Sequence, residues 1–308
     1  MTARLRCFAF FVGLALLAAP DAGAQYGKIV FQKNSLYQRI LVYRDGNIVT
    51  LRFARSPAAQ IQSQADLGDL RRPTLEYSTL MFAGLLYQPE PKRVLVLGLG
   101  GGTIPREMHY YFPDAEIDVV ELDPGIPPVA EAFFGFRPDD KLQVHVSDGR
   151  VFIRKRNASG NSPPYDYVVL DAFSSQYIPF HLMTREFLEE VKKALTDDGV
   201  VVANVFGNNL LFDAEFKTFL DVFGECQVYR GAVSTNAMLV STKTLGRGLT
   251  PAEAVRRAVE LQVAHGFAFD LPKVAERLLP GARPHPDARV LTDDRAPVNQ
   301  LQAQPREK

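Results

Sequence analysis

The sequence predicts an α/β chain built on a doubly wound parallel sheet, with a small antiparallel β unit ahead of it. Three observations carry this reading. Residues 94–97 (VLVL) are apolar at every position, which suits a parallel strand covered on both faces. A glycine-rich turn follows, with Gly98, Gly100, Gly101 and Gly102, then a helical stretch and a second strand that ends in Glu121. Strand-like and helix-like runs then alternate to about residue 223, as expected of parallel strands joined by right-handed crossovers.

Taken in order, the first residues read as an export signal. Arg4 and Arg6 form a positive start, residues 8–19 an apolar core, and Ala22-Gly23-Ala24 a small-residue cleavage site. The apolar run is shorter than the ~20 residues that span a bilayer, so cleavage after Ala24 and a periplasmic mature chain starting at Gln25 are expected. An uncleaved membrane anchor is the competing reading. No later segment is long and apolar enough for a transmembrane helix.

A β-hairpin domain is expected over 25–72, with strand-like runs at 28–32, 37–44, 47–54 and 59–64 and Asp45-Gly46 as a tight turn. Pro73 opens a helix running to residue 86, and Pro89-Glu90-Pro91 separates it from the 94–97 strand. The main domain, 73–245, continues with a helix from Ile104, a strand at 117–122, a segment to 134, a strand at 142–146, a helix after Asp148 and a strand at 167–170. A helix at 184–195, a strand at 200–205 and a helix at 213–223 follow. Residues 157–164 (NASGNSPP) are a polar turn cluster whose sequon is read as idle. The C-terminal part, 246–308, carries helical patterning over 247–279, turns proline-rich from Pro280, and reads as mobile after Val298.

Charge narrows the partners. Lys plus Arg number 35, as do Asp plus Glu, and loss of the leader leaves 33 basic and 34 acidic residues, so nothing selects for nucleic acid or an anionic membrane. Of the two cysteines, Cys7 lies in the leader, and Cys226 alone forms no intrachain disulfide. It reads as a small core residue, or one available for intermolecular pairing.

The loop G-L-G-G-G-T is not a strict G-x-G-x-x-G, and no Gly-Lys-Ser/Thr follows, which argues against a P-loop. It reads either as a nucleoside-binding loop or as a tight structural turn; the strand before it and the acid ending the next strand favour the former. A carboxylate at Glu121 can accept hydrogen bonds from both ribose hydroxyls. The glycine loop, Glu121, Asp148 and Asp171 all fall at carboxyl ends of predicted strands, where ligands bind such sheets.

Glu76-Tyr77, V-L-G-L-G-G-G-T, V-E-L-D-P, S-D-G-R, Y-D-Y-V-V-L-D-A-F-S-S and H-L-M-T-R-E-F, in that order, resemble the spermidine synthase (polyamine aminopropyltransferase) superfamily over about residues 28–240. The resemblance implies a small β domain followed by a methyltransferase-like Rossmann domain. It also implies transfer of an aminopropyl group from decarboxylated S-adenosylmethionine to an amine. The cosubstrate is a nucleoside sulfonium, and no cofactor is bound permanently. Carried onto this chain, Glu121 holds the ribose, Asp148 with Gly149 meets the adenine amino edge, Asp171 is the general base, and Tyr77 lines the amine side. Tyr165 precedes the strand leading to Asp171, and His181 is a packed residue positioning the loop before it. Relatives of this kind are often dimers, which leaves a homodimer open.

Two departures stand out. The superfamily's loop acid (G-G-G-D-G-G) has Gly101 as its counterpart, and the second acid of D-x-x-D is replaced by Ser174. Losing two carboxylates weakens a site for two cations; Asp293 and Asp294, in L-T-D-D-R-A-P-V, are the candidates to replace them, or else form a solvated acidic turn. Simpler roles compete elsewhere too: Asp148 as a helix cap, Asp171 as a turn cap. The alternatives to aminopropyl transfer are methyl transfer from S-adenosylmethionine itself, and a non-catalytic exported protein that binds nucleosides or polyamines.

Overall fold

The computed structural model describes residues 24–53, 61–172 and 179–305. The leader up to residue 23, and Ser174, lie outside the described residues. The N-terminal unit is a four-stranded antiparallel sheet in chain order: β1 (Lys28–Asn34), β2 (Arg39–Asp45), β3 (Ile48–Arg52) and β4 (Ser63–Asp66). Asp45 pairs with Ile48, so the β2–β3 turn is Gly46-Asn47, one residue later than the sequence suggests. Gly46 supplies the positive φ (57°) that two-residue hairpins require at that position.

The expected 73–86 helix is split. α1 (Glu76–Leu80) gives way to a tighter 3₁₀ stretch, Met81–Leu86, buried throughout. This segment lies directly on the main sheet: the Tyr167 hydroxyl donates to the Met81 carbonyl at 2.6 Å, and a Cβ on Gly84 would stand 2.4 Å from that hydroxyl.

The main sheet is built from β5 (Arg93–Leu97), β6 (Glu116–Glu121), β7 (Leu142–Val146), β8 (Tyr165–Leu170), β9 (Leu195–Phe206), β10 (Gln227–Arg230), β11 (Asn236–Thr242) and β12 (Leu278–Leu279). Their order is β12-β10-β11-β9-β8-β5-β6-β7. The strands from β9 to β7 pair in parallel. The sheet is nevertheless not wholly parallel, because β11, β10 and β12 extend it antiparallel beyond β9. Helices α2 (Thr103–Tyr111), α3 (Ile126–Phe133), α4 (Gly149–Ser159), α5 (Arg185–Ala194) and α6 (Leu210–Phe223) make the crossovers and cover both faces, followed by α7 (Pro251–His265), α8 (Leu271–Ala275) and α9 (Val298–Gln302). This is the Rossmann-like architecture of methyltransferases.

The apolar run of β5 serves two cores. Val94 and Val96 pack with the N-terminal sheet, α3 and α7, whereas Leu95 and Leu97 pack with α4, α5 and α6. Local signals agree with this placement: Thr184 caps α5, which buries Phe187, Leu188, Val191 and Ala194 on one side, and Thr250 with Glu253 closes a capping box on α7. A side chain such as Phe187, fully buried, contributes about 1.5–3 kcal/mol.

Residues 298–304 pack against the main domain. α9 places Val298 and Leu301 against Leu211 and Leu291, and Leu210 N–H donates to the Gln304 carbonyl at 3.0 Å. No helix among the described residues is long and apolar enough to cross a membrane.

From β5 the chain builds outward through β6 and β7, then returns to the other side of β5 for β8 and β9. The reversal opens a crevice at the carboxyl ends of β5 and β8, where ligands of open α/β sheets bind.

Candidate active site at the carboxyl ends of the central strands

The glycine loop leaves β5 in contact with the end of β8. Gly98 adopts φ 98°, and a Cβ there would stand 2.3 Å from the Asp171 carbonyl oxygen, so only glycine fits. The turn is tied on the other side by Glu121, which ends β6. Its Oε2 accepts from the Leu99 amide and its Oε1 from the Asp123 amide, each at 2.9 Å. Burial pushes the Glu121 carboxyl up, against the pull of these amides. Glu121 therefore also has a structural role: it fastens the glycine loop.

The four loop glycines do not act alike. Gly98 and Gly100 line the cleft; Gly101 and Gly102 are not among its lining residues and turn away from it. A Cβ on Gly101 would meet the Phe134 ring at 2.8 Å and Ser63 Cβ at 2.9 Å, and one on Gly102 the Phe136 ring at 2.5 Å. The Gly101 amide donates to Ser63 Oγ at 2.8 Å, joining the loop to β4 of the N-terminal sheet. Position 101 therefore has no room for a carboxylate while Phe134 and Ser63 stay where they are.

The cleft encloses about 300 Å³. Gly98, Gly100, Glu121, Asp148, Gly149 and Asp171 line it from the strand ends, and Gln62, Ser63 and Tyr77 close it from the N-terminal side. Tyr77 donates its hydroxyl to the Gln62 carbonyl at 2.8 Å; burial and the nearby Asp171 carboxylate keep the phenol protonated. Asp123 fixes the mouth, accepting from Ser35 Oγ at 2.5 Å, Gln38 Nε2 at 3.3 Å and the Gly125 amide at 2.8 Å. That holds the β1–β2 turn, with Tyr37 and Gln38, over the opening.

Asp148 fills the simpler of its two expected roles, a helix cap, from a position on the cleft wall. It lines the cleft, yet its Oδ1 caps α4 by accepting from the Val151 amide at 2.9 Å, and its Oδ2 meets His181 Nε2 at 2.8 Å. Burial opposes ionisation, but the amide and the histidine outweigh it and lower the carboxyl. His181 is thus a hydrogen-bonded wall residue.

Asp171 follows β8 directly. Burial pushes its carboxyl up to about 7, with the Asn204 amide pulling the other way. Asn204 Nδ2 donates to Asp171 Oδ1 at 2.8 Å, and Asn236 Nδ2 donates to Asn204 Oδ1, also at 2.8 Å. Both asparagines line the cleft, and sequence reasoning missed both. One signal was present: Asn204 is the polar interruption of an otherwise apolar run, V-V-V-A-N-V, at the carboxyl end of β9.

The expected replacement acids are elsewhere. Asp293 is held by Arg150 through two contacts of 2.7 Å and by Thr184 Oγ1 at 2.7 Å, and that pairing with Arg150 keeps its carboxyl down at about 2. Asp294 is exposed, and neither residue lines the cleft. L-T-D-D-R-A-P-V anchors the C-terminal segment to α4 and α5 instead. Tyr165 sits at the opposite end of the sheet, its hydroxyl donating to Asp118 at 2.6 Å.

Four carboxylates, those of Glu121, Asp123, Asp148 and Asp171, face the cleft, and no lysine or arginine is among its described lining residues. Such a cleft favours a cationic ligand over an anionic one.

Comparison with known proteins agrees with this geometry. Residues 74–242 match the spermine/spermidine synthase domain. The polyamine aminopropyltransferase of Vibrio vulnificus is 35% identical over 296 residues, which cover 94% of this chain and 97% of the relative. Among solved structures, a probable spermidine synthase from Corynebacterium glutamicum superposes with a TM-score of 0.63 at 19% identity, covering 84% of this chain and 96% of its own. Human methyltransferase-like protein 13, in complex with SAH, superposes with a TM-score of 0.58 at 31% identity, covering 62% of this chain and 93% of its own.

Proposed function

Because this chain belongs to the spermine/spermidine synthase family, we propose that it transfers an aminopropyl group from decarboxylated S-adenosylmethionine to an amine. The observation that carries the reading is Asp171: a recessed carboxylate near neutrality, fixed by Asn204, in a cleft whose charged walls are acidic. The nitrogen lone pair of the neutral amine attacks the methylene next to the sulfonium. The carbon–sulfur bond breaks, its electron pair goes to sulfur, and methylthioadenosine leaves neutral. The proton shed by the attacking nitrogen passes to Asp171. Alignment and deprotonation are the enzyme's main contributions, since the sulfonium is already a good leaving group.

In this reading the adenosine lies along the glycine loop. An ionised carboxylate has about four acceptor sites, so Glu121, with one backbone amide on each oxygen, keeps capacity for the ribose hydroxyls. Asp148 and Gly149 meet the adenine edge, and Tyr77 with Gln62 and Ser63 walls the amine side.

The relative that matches nearly the whole chain is an aminopropyltransferase, whereas the methyltransferase structure matches 62% of it. That difference favours aminopropyl over methyl transfer. We also propose export, on the strength of Arg4, Arg6, the apolar run at 8–19 and Ala22-Gly23-Ala24.

Calorimetric titration with decarboxylated S-adenosylmethionine, S-adenosylmethionine and methylthioadenosine tests the cosubstrate. Tighter binding of the decarboxylated form is expected. Tighter binding of the carboxylated form contradicts the proposal and points to methyl transfer.

A further inference from the structure

Helix α6 carries an acid that the mechanism above does not use. Glu215 is 5% exposed, its Oε2 has no hydrogen-bond partner, and burial pushes its carboxyl up to about 8. A carboxylate held away from water without a partner is costly, so an acid at such a place either stays protonated or meets a cation. The acids of the cleft are already engaged: Glu121 with two amides, Asp123 with Ser35 and Gln38, Asp148 with Val151 and His181, and Asp171 as the base. Glu215 is not.

Glu215 lines a cavity of about 40 Å³. That is room for one water-sized group, and an ammonium head is of that size. No other titratable side chain is among its described lining residues. The cavity shares Leu97, Ala172, Leu182 and Asn204 with the main cleft. Asn204 is the residue that holds Asp171, and Ala172 is Asp171's neighbour in the chain. The unused acid therefore lies behind the wall that carries the base.

We propose that Glu215 is a specificity-determining residue, which receives the remote ammonium of an α,ω-diamine while Asp171 takes the proton of the attacking nitrogen. This rests on the aminopropyl-transfer reading. With the cavity empty the Glu215 carboxyl keeps its proton. When the ammonium enters, that proton leaves to solvent and an ammonium–carboxylate pair forms; a monoamine of equal length leaves the acid protonated.

The test compares putrescine with n-butylamine as acceptors for the wild-type chain, Glu215→Gln and Glu215→Met. Both variants are expected to lose the preference for the diamine by roughly 30-fold or more, the loss expected when one partner of a buried charge pair is removed. The loss falls on the KM for putrescine, with the KM for the cosubstrate and turnover of butylamine unchanged. Titration at pH 7 in two buffers of different ionisation heat reads the proton directly: putrescine binding to the wild-type complex with methylthioadenosine releases one proton more than binding to Glu215→Gln. An unchanged diamine-to-monoamine ratio in folded variants would overturn the inference and leave Glu215 an idle buried acid. Failure of the wild-type chain to modify either amine would overturn the aminopropyl reading itself, and this inference with it.

Discussion

The Asn204 side chain presents its nitrogen, not its oxygen, to Asp171. Asn236 fixes this orientation: it donates to Asn204 Oδ1 at 2.8 Å, so Nδ2 is left to donate to Asp171 Oδ1 at 2.8 Å. A donor there favours the ionised carboxylate, the form a base requires. Replacing Asn204 by Leu removes the hydrogen bond that lowers the Asp171 carboxyl. A hydrogen bond to a charged group is worth about 1.5–3 kcal/mol, so the acid limb of kcat should move about one to two pH units upward. Asn236→Asp, which offers only acceptors when ionised, should turn the Asn204 amide round and have the same effect. A pH–rate profile of each variant checks this; unshifted limbs would remove the asparagines from the mechanism.

Asp171→Asn should lower kcat by about 10²–10⁴ and leave cosubstrate binding intact. It should also reveal the cost of the site. Burial raises the folded-state carboxyl of Asp171 to about 7, above its unfolded value of about 3.9, so the folded state binds more protons than the unfolded state between those values. Stability contributed by this group therefore falls as the pH rises through that window. Melting curves should show Asp171→Asn more stable than the wild type at pH values above about 7 and no more stable below about 4.

Gly101→Asp restores the acid of the superfamily pattern in sequence but not in space. Its Cβ would stand 2.8 Å from the Phe134 ring, so the substitution should cost about 1–3 kcal/mol by overpacking and weaken cosubstrate binding. Denaturant melts and titration would show both; a variant of wild-type stability with improved transfer would mean that the loop has room.

Export predicts that intact-mass and N-terminal analysis of the chain recovered from a bacterial periplasm will show Gln25 as the first residue. Recovery of the uncleaved chain from the membrane fraction would favour the anchor instead.

Much of the core was legible in the sequence because each element carries its own signal: the unbroken apolarity of β5, the glycines at its end, the acids ending β6 and β8, and Thr184 before α5. What was not legible depends on pairing across distance. Nothing local marks residues 227–242 as the antiparallel extension of the sheet, since β11 is defined by registry with β9 and β10 by registry with β11. Asp293 has no local mark of its partner, because Arg150 lies 143 residues earlier. Nor does the glycine loop itself show that Phe134, 33 residues later, closes the space beside Gly101. Pro73 predicts a single helix to residue 86, and no local signal reports how closely Gly84 must approach Tyr167.

The most direct measurement incubates the purified chain with putrescine and either decarboxylated S-adenosylmethionine or S-adenosylmethionine, and identifies both products by mass spectrometry. The account predicts methylthioadenosine together with an amine heavier by one aminopropyl group, from the decarboxylated cosubstrate only, and both formed at least about 10²-fold more slowly with Asp171→Asn. Formation of SAH and a methylated amine from S-adenosylmethionine would contradict it.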